Sequence, residues 1–134
     1  MPNGTVLLVE DNDVSRELVE DMLGVAGYAV VACPTGEQAM AWLSTNLPDL
    51  ILMDINLPGT DGLTLTRQIK ARPETAGIPV VALTAYAMSG DQERILAAGC
   101  DGYISKPIDL TQFAAQVARH LGRAPARSRD DLRC

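Results

Sequence analysis

The sequence predicts an α/β protein in which helices cover both faces of a doubly wound parallel sheet. Short apolar runs rich in Val, Ile and Leu recur without alternating with polar residues, as strands buried on both faces do. Segments with helical spacing separate these runs, so strand and helix alternate five times. We expect strands at Val6–Val9, Ala29–Ala32, Leu50–Met53, Val80–Leu83 and, from a weaker pattern, Tyr103–Ile104.

The first predicted helix spans about Val14–Ala26. Asn12 or Asp13 is a suitable N-cap, and Gly27 suits the exit from the helix. Its apolar residues recur at helical spacing. They predict a buried face made of Val14, Leu18, Met22 and Val25.

The next two helices are predicted mainly from their ends. The second begins at Thr35, and Gln38 three residues later forms a plausible capping box. Pro48 sets a limit to this segment because proline lacks the amide hydrogen that a helix interior needs. The third helix follows Gly62 and ends before Pro73.

The last two helices differ in apolar content. The fourth, at about 89–98, has few apolar anchors, whereas the fifth opens at Asp109 and carries a regular apolar face. After Gly122 the composition changes to Arg, Ala, Pro, Ser and Asp. We therefore expect one folded domain over residues 1–122 and a disordered tail or linker remnant over 123–134.

The formal net charge of −6 is unevenly distributed. Residues 1–122 carry 7 basic and 15 acidic side chains, a net charge of −8, whereas residues 123–134 carry four arginines and two aspartates. An acidic domain argues against a surface that binds the phosphate backbone of nucleic acids. We predict no nucleic-acid partner.

The three cysteines and the apolar segments point to a cytoplasmic protein. Cys33, Cys100 and Cys134 lack the spacing of a metal site, and their odd number is typical of reduced thiols. No apolar run is long enough to cross a membrane, and the N-terminus lacks the pattern of a signal peptide. We expect no membrane contact by this domain.

Polar and charged residues follow the predicted strands at their carboxyl ends, where open parallel sheets bind ligands. Glu10 and Asp11 follow the first strand, Asp54 the third, Thr84 the fourth and Lys106 the fifth. Three carboxylates at one edge repel each other unless a cation lies between them. Oxygen ligands without a cluster of Cys or His favour Mg²⁺ over zinc, with Mn²⁺ as an alternative.

Four motifs in order along the chain, each at a predicted strand end, are specific as a set. They are LLVEDN at 7–12, LMDINLPGTDG at 52–62, LTA at 83–85 and YISKP at 103–107. Together they resemble the receiver domain of two-component response regulators over residues 5–121. The resemblance implies a flavodoxin-like fold of five strands in the order 2-1-3-4-5 with five helices.

The resemblance assigns a role to each residue at the strand ends. Asp54 resembles the phosphoacceptor, and Asp11 and Asp54 would ligate Mg²⁺ together with the backbone carbonyl of Asn56. Glu10 stands where many members have Asp, and its longer side chain would hold a metal-bound water.

The remaining implied roles concern the phosphoryl group and the response to it. The Thr84 hydroxyl and the Lys106 ammonium would contact phosphoryl oxygens, and the small Ala85 would leave the site open to the donor. Tyr103 would turn inward and couple the site to the surface of helix 4, strand 5 and helix 5. Asn56 and Tyr86 would modulate dephosphorylation, because they flank the approach of water.

The resemblance also implies the partners. The phosphoryl donor would be a histidine kinase or a histidine phosphotransfer protein, and an effector or a second copy could bind the helix 4–strand 5–helix 5 surface. The chain would be a bacterial, cytoplasmic stand-alone receiver or part of a hybrid histidine kinase, whose parent protein could be membrane-anchored. It would be a phosphoacceptor that assists its own phosphorylation and dephosphorylation, not an enzyme in its own right.

Two other functions stay open. A haloacid-dehalogenase-like phosphatase also forms an aspartyl phosphate with Mg²⁺, but its general acid lies two residues after the nucleophile, where this chain has Asn56. A pseudo-receiver would bind partners without phosphorylation. Turnover of phosphoesters would favour the phosphatase, and an absence of Mg²⁺ binding would favour the pseudo-receiver.

Overall fold

A computed structural model describes residues 4–55, 62–84, 89–105 and 113–122. Within these ranges strand and helix alternate five times. The strands are β1 Thr5–Val9, β2 Ala29–Cys33, β3 Leu50–Asp54, β4 Val80–Thr84 and β5 Gly102–Ser105. The helices are α1 Asp13–Val25, α2 Gly36–Leu43, α3 Gly62–Ala71, α4 Ser89–Ala97 and α5 Phe113–Gly122.

The five strands form one parallel sheet in the order β2-β1-β3-β4-β5. This order and the five helices confirm the predicted flavodoxin-like fold, including the weakly predicted β5. The order reverses between β1 and β3, where ligands of such sheets bind.

The core consists of two layers, one on each face of the sheet. One layer contains Leu7, Val9, Ile51, Met53, Val80 and Ala82 from the central strands, and the other contains Val6, Leu8, Leu50, Leu52, Val81 and Leu83. Residues from α2, α3 and α4 complete the first layer, whereas residues from α1 and α5 complete the second. Because both faces of β1, β3 and β4 are covered, their residues need to be apolar without alternation.

The predicted buried face of α1 is wrong. The buried residues of this helix are Val19 and Leu23, which pack against Phe113 and Val117 of α5 in the second layer. The predicted residues Val14, Leu18 and Val25 are 74%, 37% and 91% exposed, and Met22 is half-buried. The helix has apolar residues on more than one side, so its sequence spacing alone does not select the side that faces the sheet.

Two predicted helix starts are confirmed by their side-chain hydrogen bonds. The Ser15 amide donates to Asn12 Oδ1 at 2.9 Å, so Asn12 rather than Asp13 caps α1. The Gln38 amide donates to Thr35 Oγ1 at 3.2 Å at the start of α2. Gly27 follows α1 with a φ of 96°, a conformation that glycine adopts readily.

Some predictions fall outside the described residues. They concern Asp109 as the start of the last helix and the nature of residues 123–134. In the part of the chain that the structure covers, no helix has the length and apolar character required to span a membrane.

Candidate functional site

The register of the sheet brings three of the predicted residues to one edge. Val9 lies beside Met53, and Asp54 lies beside Leu83. If the β1–β3 register is extended by one residue, Glu10 lies beside Asp54. Thr84 is the last residue of β4 and is fully buried.

Glu10, Asp11 and Asp54 form a compact acidic cluster at this edge. Each carboxylate has an oxygen atom within 4.8 Å of the corresponding oxygens of the other two. Glu10 is 1% exposed and Asp54 is 3% exposed, whereas Asp11 is open to solvent. The cluster therefore combines two nearly buried carboxylates with one that solvent reaches.

The donor set suits a hard divalent cation. All three side chains offer oxygen, and within the described residues neither histidine nor cysteine joins the cluster. Two oxygens bound to the same Mg²⁺ lie at most about 4.2 Å apart, given metal–oxygen distances of about 2.1 Å. The three carboxylates, within 4.8 Å of one another, are therefore close to the spacing that one ion requires.

The β1–α1 loop that carries Glu10 and Asp11 is held at several points. The Glu10 amide donates to the carbonyl oxygen of Cys33 at 3.1 Å, which extends the β1–β2 pairing beyond Val9. The Asn12 amide donates to Glu10 Oε2 at 3.3 Å. Arg16, which the sequence analysis did not single out, donates to the carbonyl oxygens of both Glu10 and Asp11 at 3.0 Å.

Gly62 fixes the backbone that carries Asp54. Its amide donates to the carbonyl oxygen of Ile55 at 3.3 Å. A Cβ atom at Gly62 would lie 2.5 Å from the carbonyl oxygen of Asp54 and 2.6 Å from the Cα of Ile55, closer than real Cβ contacts. This close backbone packing therefore requires a glycine at position 62.

Tyr103 lies on β5 beside Ala82 of β4. It is partly buried and packs against the first core layer. The adjacent helix α4 contributes Ile95 to that layer, whereas Leu96 is 52% exposed. This agrees with the thin apolar pattern predicted for α4.

Four residues that were assigned roles lie outside the described residues. They are Asn56, Ala85, Tyr86 and Lys106. Their roles stay predictions, and the structure brings together only Glu10, Asp11 and Asp54, with Thr84 at the end of the neighbouring strand.

The buried thiols lie in the core. Burial raises the pKa of both Cys33 and Cys100, since desolvation disfavours the thiolate. A hydrogen bond of 3.8 Å between Cys100 Sγ and Thr66 Oγ1 opposes that rise for Cys100 without reversing it. A raised pKa leaves little thiolate at neutral pH, so both thiols are poor nucleophiles.

The fold and the acidic cluster together define an α/β protein of the flavodoxin-like class with a candidate cation site at the switch between β1 and β3. The sequence model described as the response regulator receiver domain matches residues 6–118. The chain therefore belongs to the response regulator receiver domain family.

Individual relatives agree with this assignment. The polar-differentiation response regulator DivK of Brucella ovis is 42% identical over 120 residues, which cover 90% of this chain and 98% of the relative. A crystal structure of a putative response regulator from Chloroflexus aurantiacus aligns with a TM-score of 0.86 at 34% identity, covering 92% of this chain and 100% of the other.

A third relative is the receiver domain of a sensor histidine kinase from Pseudomonas aeruginosa. It aligns with a TM-score of 0.81 at 39% identity, covering 89% of this chain and 98% of the other. The crystal structure of that receiver contains a magnesium ion coordinated in its active-site cleft.

Proposed function

We propose that this chain is a phosphoacceptor in a His-to-Asp phosphorelay and that Asp54 receives the phosphoryl group. The observation that carries the proposal is the position of Asp54, which is 3% exposed and lies within 4.8 Å of carboxylate oxygens of Glu10 and Asp11. The family assignment favours a signalling module over the phosphatase alternative.

The transfer requires little covalent chemistry from the protein. An oxygen of the ionised Asp54 attacks phosphorus in line as the bond between phosphorus and the donor histidine breaks, and the released imidazole takes up a proton. Asp54 then carries an acyl phosphate. The Asp54 side chain is buried, which would limit the access of water to the acyl phosphate.

Magnesium is the proposed cofactor, with Mn²⁺ as an alternative. Asp11, Asp54 and the backbone carbonyl of Asn56 would be ligands, and Glu10 would hold a metal-bound water. When bound, the ion would offset the negative charges of the carboxylates and the phosphoryl oxygens. The acidic cluster and the magnesium ion in the Pseudomonas aeruginosa receiver support this proposal.

The phosphoryl group would be held by residues of the neighbouring strand ends. Thr84 would donate its hydroxyl, Lys106 would supply a positive charge, and the small side chain of Ala85 would leave room for the donor. Phosphorylation replaces one negative charge with nearly two and adds acceptor oxygens. We propose that Thr84 and Tyr103 transmit this change to the surface of α4, β5 and α5.

The partners follow from the same chemistry. The donor would be a phosphohistidine on a histidine kinase or a histidine phosphotransfer protein. The α4–β5–α5 surface would bind an effector or a second copy of the chain. Residues 1–122 would form the receiver domain in the bacterial cytoplasm, alone or within a hybrid histidine kinase, with Asn56 and Tyr86 setting the phosphoryl lifetime.

Acetyl phosphate provides a direct test. With Mg²⁺, we expect one slowly lost phosphoryl group per chain, detected by intact mass and mapped to Asp54. Asp54→Ala should abolish the product, whereas Asp101→Asn, at the opposite edge of the sheet, should be phosphorylated like the wild type. Phosphorylation of Asp54→Ala to the wild-type extent, or rapid turnover of phosphoesters, would rule the proposal out.

A further inference from the structure

Arg16 lies in the first turns of α1 with its guanidinium turned back toward the end of β1. Its Nη1 lies 3.0 Å from the carbonyl oxygen of Glu10 and 3.0 Å from that of Asp11. Its Nη2 pairs with the carboxylate of Asp13, and the side chain is 19% exposed. The Arg16 side chain therefore contacts the β1–α1 loop at Glu10, Asp11 and Asp13.

Both carbonyl groups belong to residues whose side chains form the acidic cluster. The ψ torsion of a residue sets the direction of its carbonyl group. The same torsion sets the orientation of the next peptide unit, so holding the carbonyl also holds the local backbone. Because Arg16 binds two successive carbonyl oxygens, it restricts the conformations available to Glu10 and Asp11 together. The Asn12 cap and the Glu10–Cys33 backbone bond restrict the same loop from either side.

We infer that Arg16 is a positioning residue that holds the β1–α1 loop in the geometry needed to bind the divalent cation. The inference rests on the proposed function, because that function supplies the cation. A loop that is ordered before the ion arrives loses less conformational entropy on binding. The planar guanidinium can bind both carbonyl oxygens at once, whereas a lysine ammonium is a flexible point charge.

Geometry and charge make opposite predictions at this position. Arg16 adds a positive charge near three carboxylates, so by charge alone its removal should tighten cation binding. If positioning dominates, removal should weaken binding, since the loop must then be ordered by the ion. Replacing an outer-sphere partner of a metal ligand typically weakens metal affinity by about 10- to 100-fold. We expect the low end, about tenfold, because the Asn12 cap remains.

The experiment compares Arg16→Lys and Arg16→Met with the wild type by calorimetric titration with Mg²⁺. Arg16→Lys keeps the charge and loses the two-carbonyl contact, whereas Arg16→Met loses both. Arg67→Met is the control, because Arg67 is an exposed arginine on α3 and its loss changes the net charge equally. We expect weaker binding in both Arg16 variants and unchanged binding in the control.

Amide hydrogen exchange of the metal-free proteins provides a second readout. The amides of residues 10–12 should exchange faster in both Arg16 variants, while those of the core strand β3 keep their wild-type rates. Urea unfolding of each variant shows whether the fold itself is intact.

The outcomes separate this inference from the proposed function. Wild-type affinity in Arg16→Lys, or tighter binding in Arg16→Met, would overturn the positioning role while Asp54 phosphorylation by acetyl phosphate still stood. If the wild type bound no Mg²⁺, the inference and the proposed cofactor would fail together.

Discussion

The two edges of the sheet use the same residue types for different purposes. At the amino edge, Asp101 Oδ2 accepts a hydrogen bond from the Val80 amide at 2.8 Å and pairs with Lys70 Nζ at 2.9 Å. Asp49 Oδ2 likewise accepts from the Thr5 amide at 2.8 Å. At the carboxyl edge, Glu10, Asp11 and Asp54 approach each other within 4.8 Å.

The difference lies in what each carboxylate faces. Carboxylates at the amino edge accept from the first amides of β1 and β4 and so fix where those strands begin. Lys70 strengthens this arrangement by also donating to the carbonyl oxygen of Ile78 at 2.7 Å. Carboxylates at the carboxyl edge face like charges, an arrangement that costs stability and suits the binding of a cation. An acidic residue therefore gains its role from its neighbours.

The largest expected effect comes from glycine positions at the two edges. Gly62→Ala places a methyl group against the backbone of Asp54 and Ile55, and we expect a loss of about 3 kcal/mol of stability in urea unfolding. Gly99→Ala at the amino edge meets a flexible part of Lys70 and a φ of 107°, for a loss of about 1–2 kcal/mol.

Mg²⁺ binding should also differ between the glycine variants at the two edges. Gly62→Ala should weaken Mg²⁺ binding because it displaces the backbone of Asp54, whereas Gly99→Ala should leave it unchanged. Gly24→Ala is the control, since a Cβ there meets nothing within 4 Å, and it should raise stability by up to about 1 kcal/mol. If Gly62→Ala bound Mg²⁺ as tightly as the wild type, the packing of Gly62 against the Asp54 backbone would not position the Asp54 carboxylate.

Neutralising one acid at each edge should change stability in opposite directions. Asp101→Ala removes the acceptor of the Val80 amide, which we expect to cost about 1–3 kcal/mol. Loss of the ion pair with Lys70 should add little to this cost, because the Asp101 side chain is exposed to solvent. Asp11→Asn relieves repulsion in the acidic cluster and should stabilise the metal-free protein by about 0.5 kcal/mol.

Adding Mg²⁺ provides a second comparison of the Asp101 and Asp11 variants. In thermal unfolding, the ion should stabilise the wild type and Asp101→Ala by similar increments, because the proposed site exists only in the folded state. The increment should be smaller for Asp11→Asn. If Asp11→Asn lost stability in the absence of metal, repulsion within the acidic cluster would not be its dominant interaction.

The last expected effect appears only at alkaline pH and concerns the two thiols, Cys33 at the end of β2 and Cys100 just before β5. Burial raises the pKa of both above the usual value of 9.0, so the folded state holds these protons longer than the unfolded state. Stability should therefore fall as the pH rises above 9, by at most about 1.4 kcal/mol per thiol and pH unit. Below that pH the contribution is constant.

Urea unfolding between pH 7 and 10 measures this loss. The double variant Cys33→Ala/Cys100→Ala should be less stable than the wild type at pH 7, because removing each buried sulfur leaves a cavity. Between pH 7 and pH 10 it should lose less stability than the wild type. Comparison of the two slopes cancels the titration of tyrosines and lysines common to both proteins. Equal slopes would show that neither thiol titrates differently in the fold.

The candidate site was largely predictable from sequence because of the geometry of parallel strands. Successive strands point the same way, so the residues that follow them gather at one edge whatever the details of the helices. Glu10, Asp11, Asp54 and Thr84 were identified on this basis, and the structure places them at that edge. Sequence spacing did not identify Arg16 or the contact of Gly62, because both depend on how a helix start meets a strand end.

By itself, the sequence determined the strands, the alternation with helices and the acids at the carboxyl edge, because each is encoded in a short stretch of residue types. Only the tertiary structure decided which side of α1 is buried, since Val19 and Leu23 rather than Val14 and Leu18 face α5. It also decided that Arg16 binds the Glu10 carbonyl oxygen. Side-chain partners of this kind depend on the packing of whole elements, which no local pattern contains.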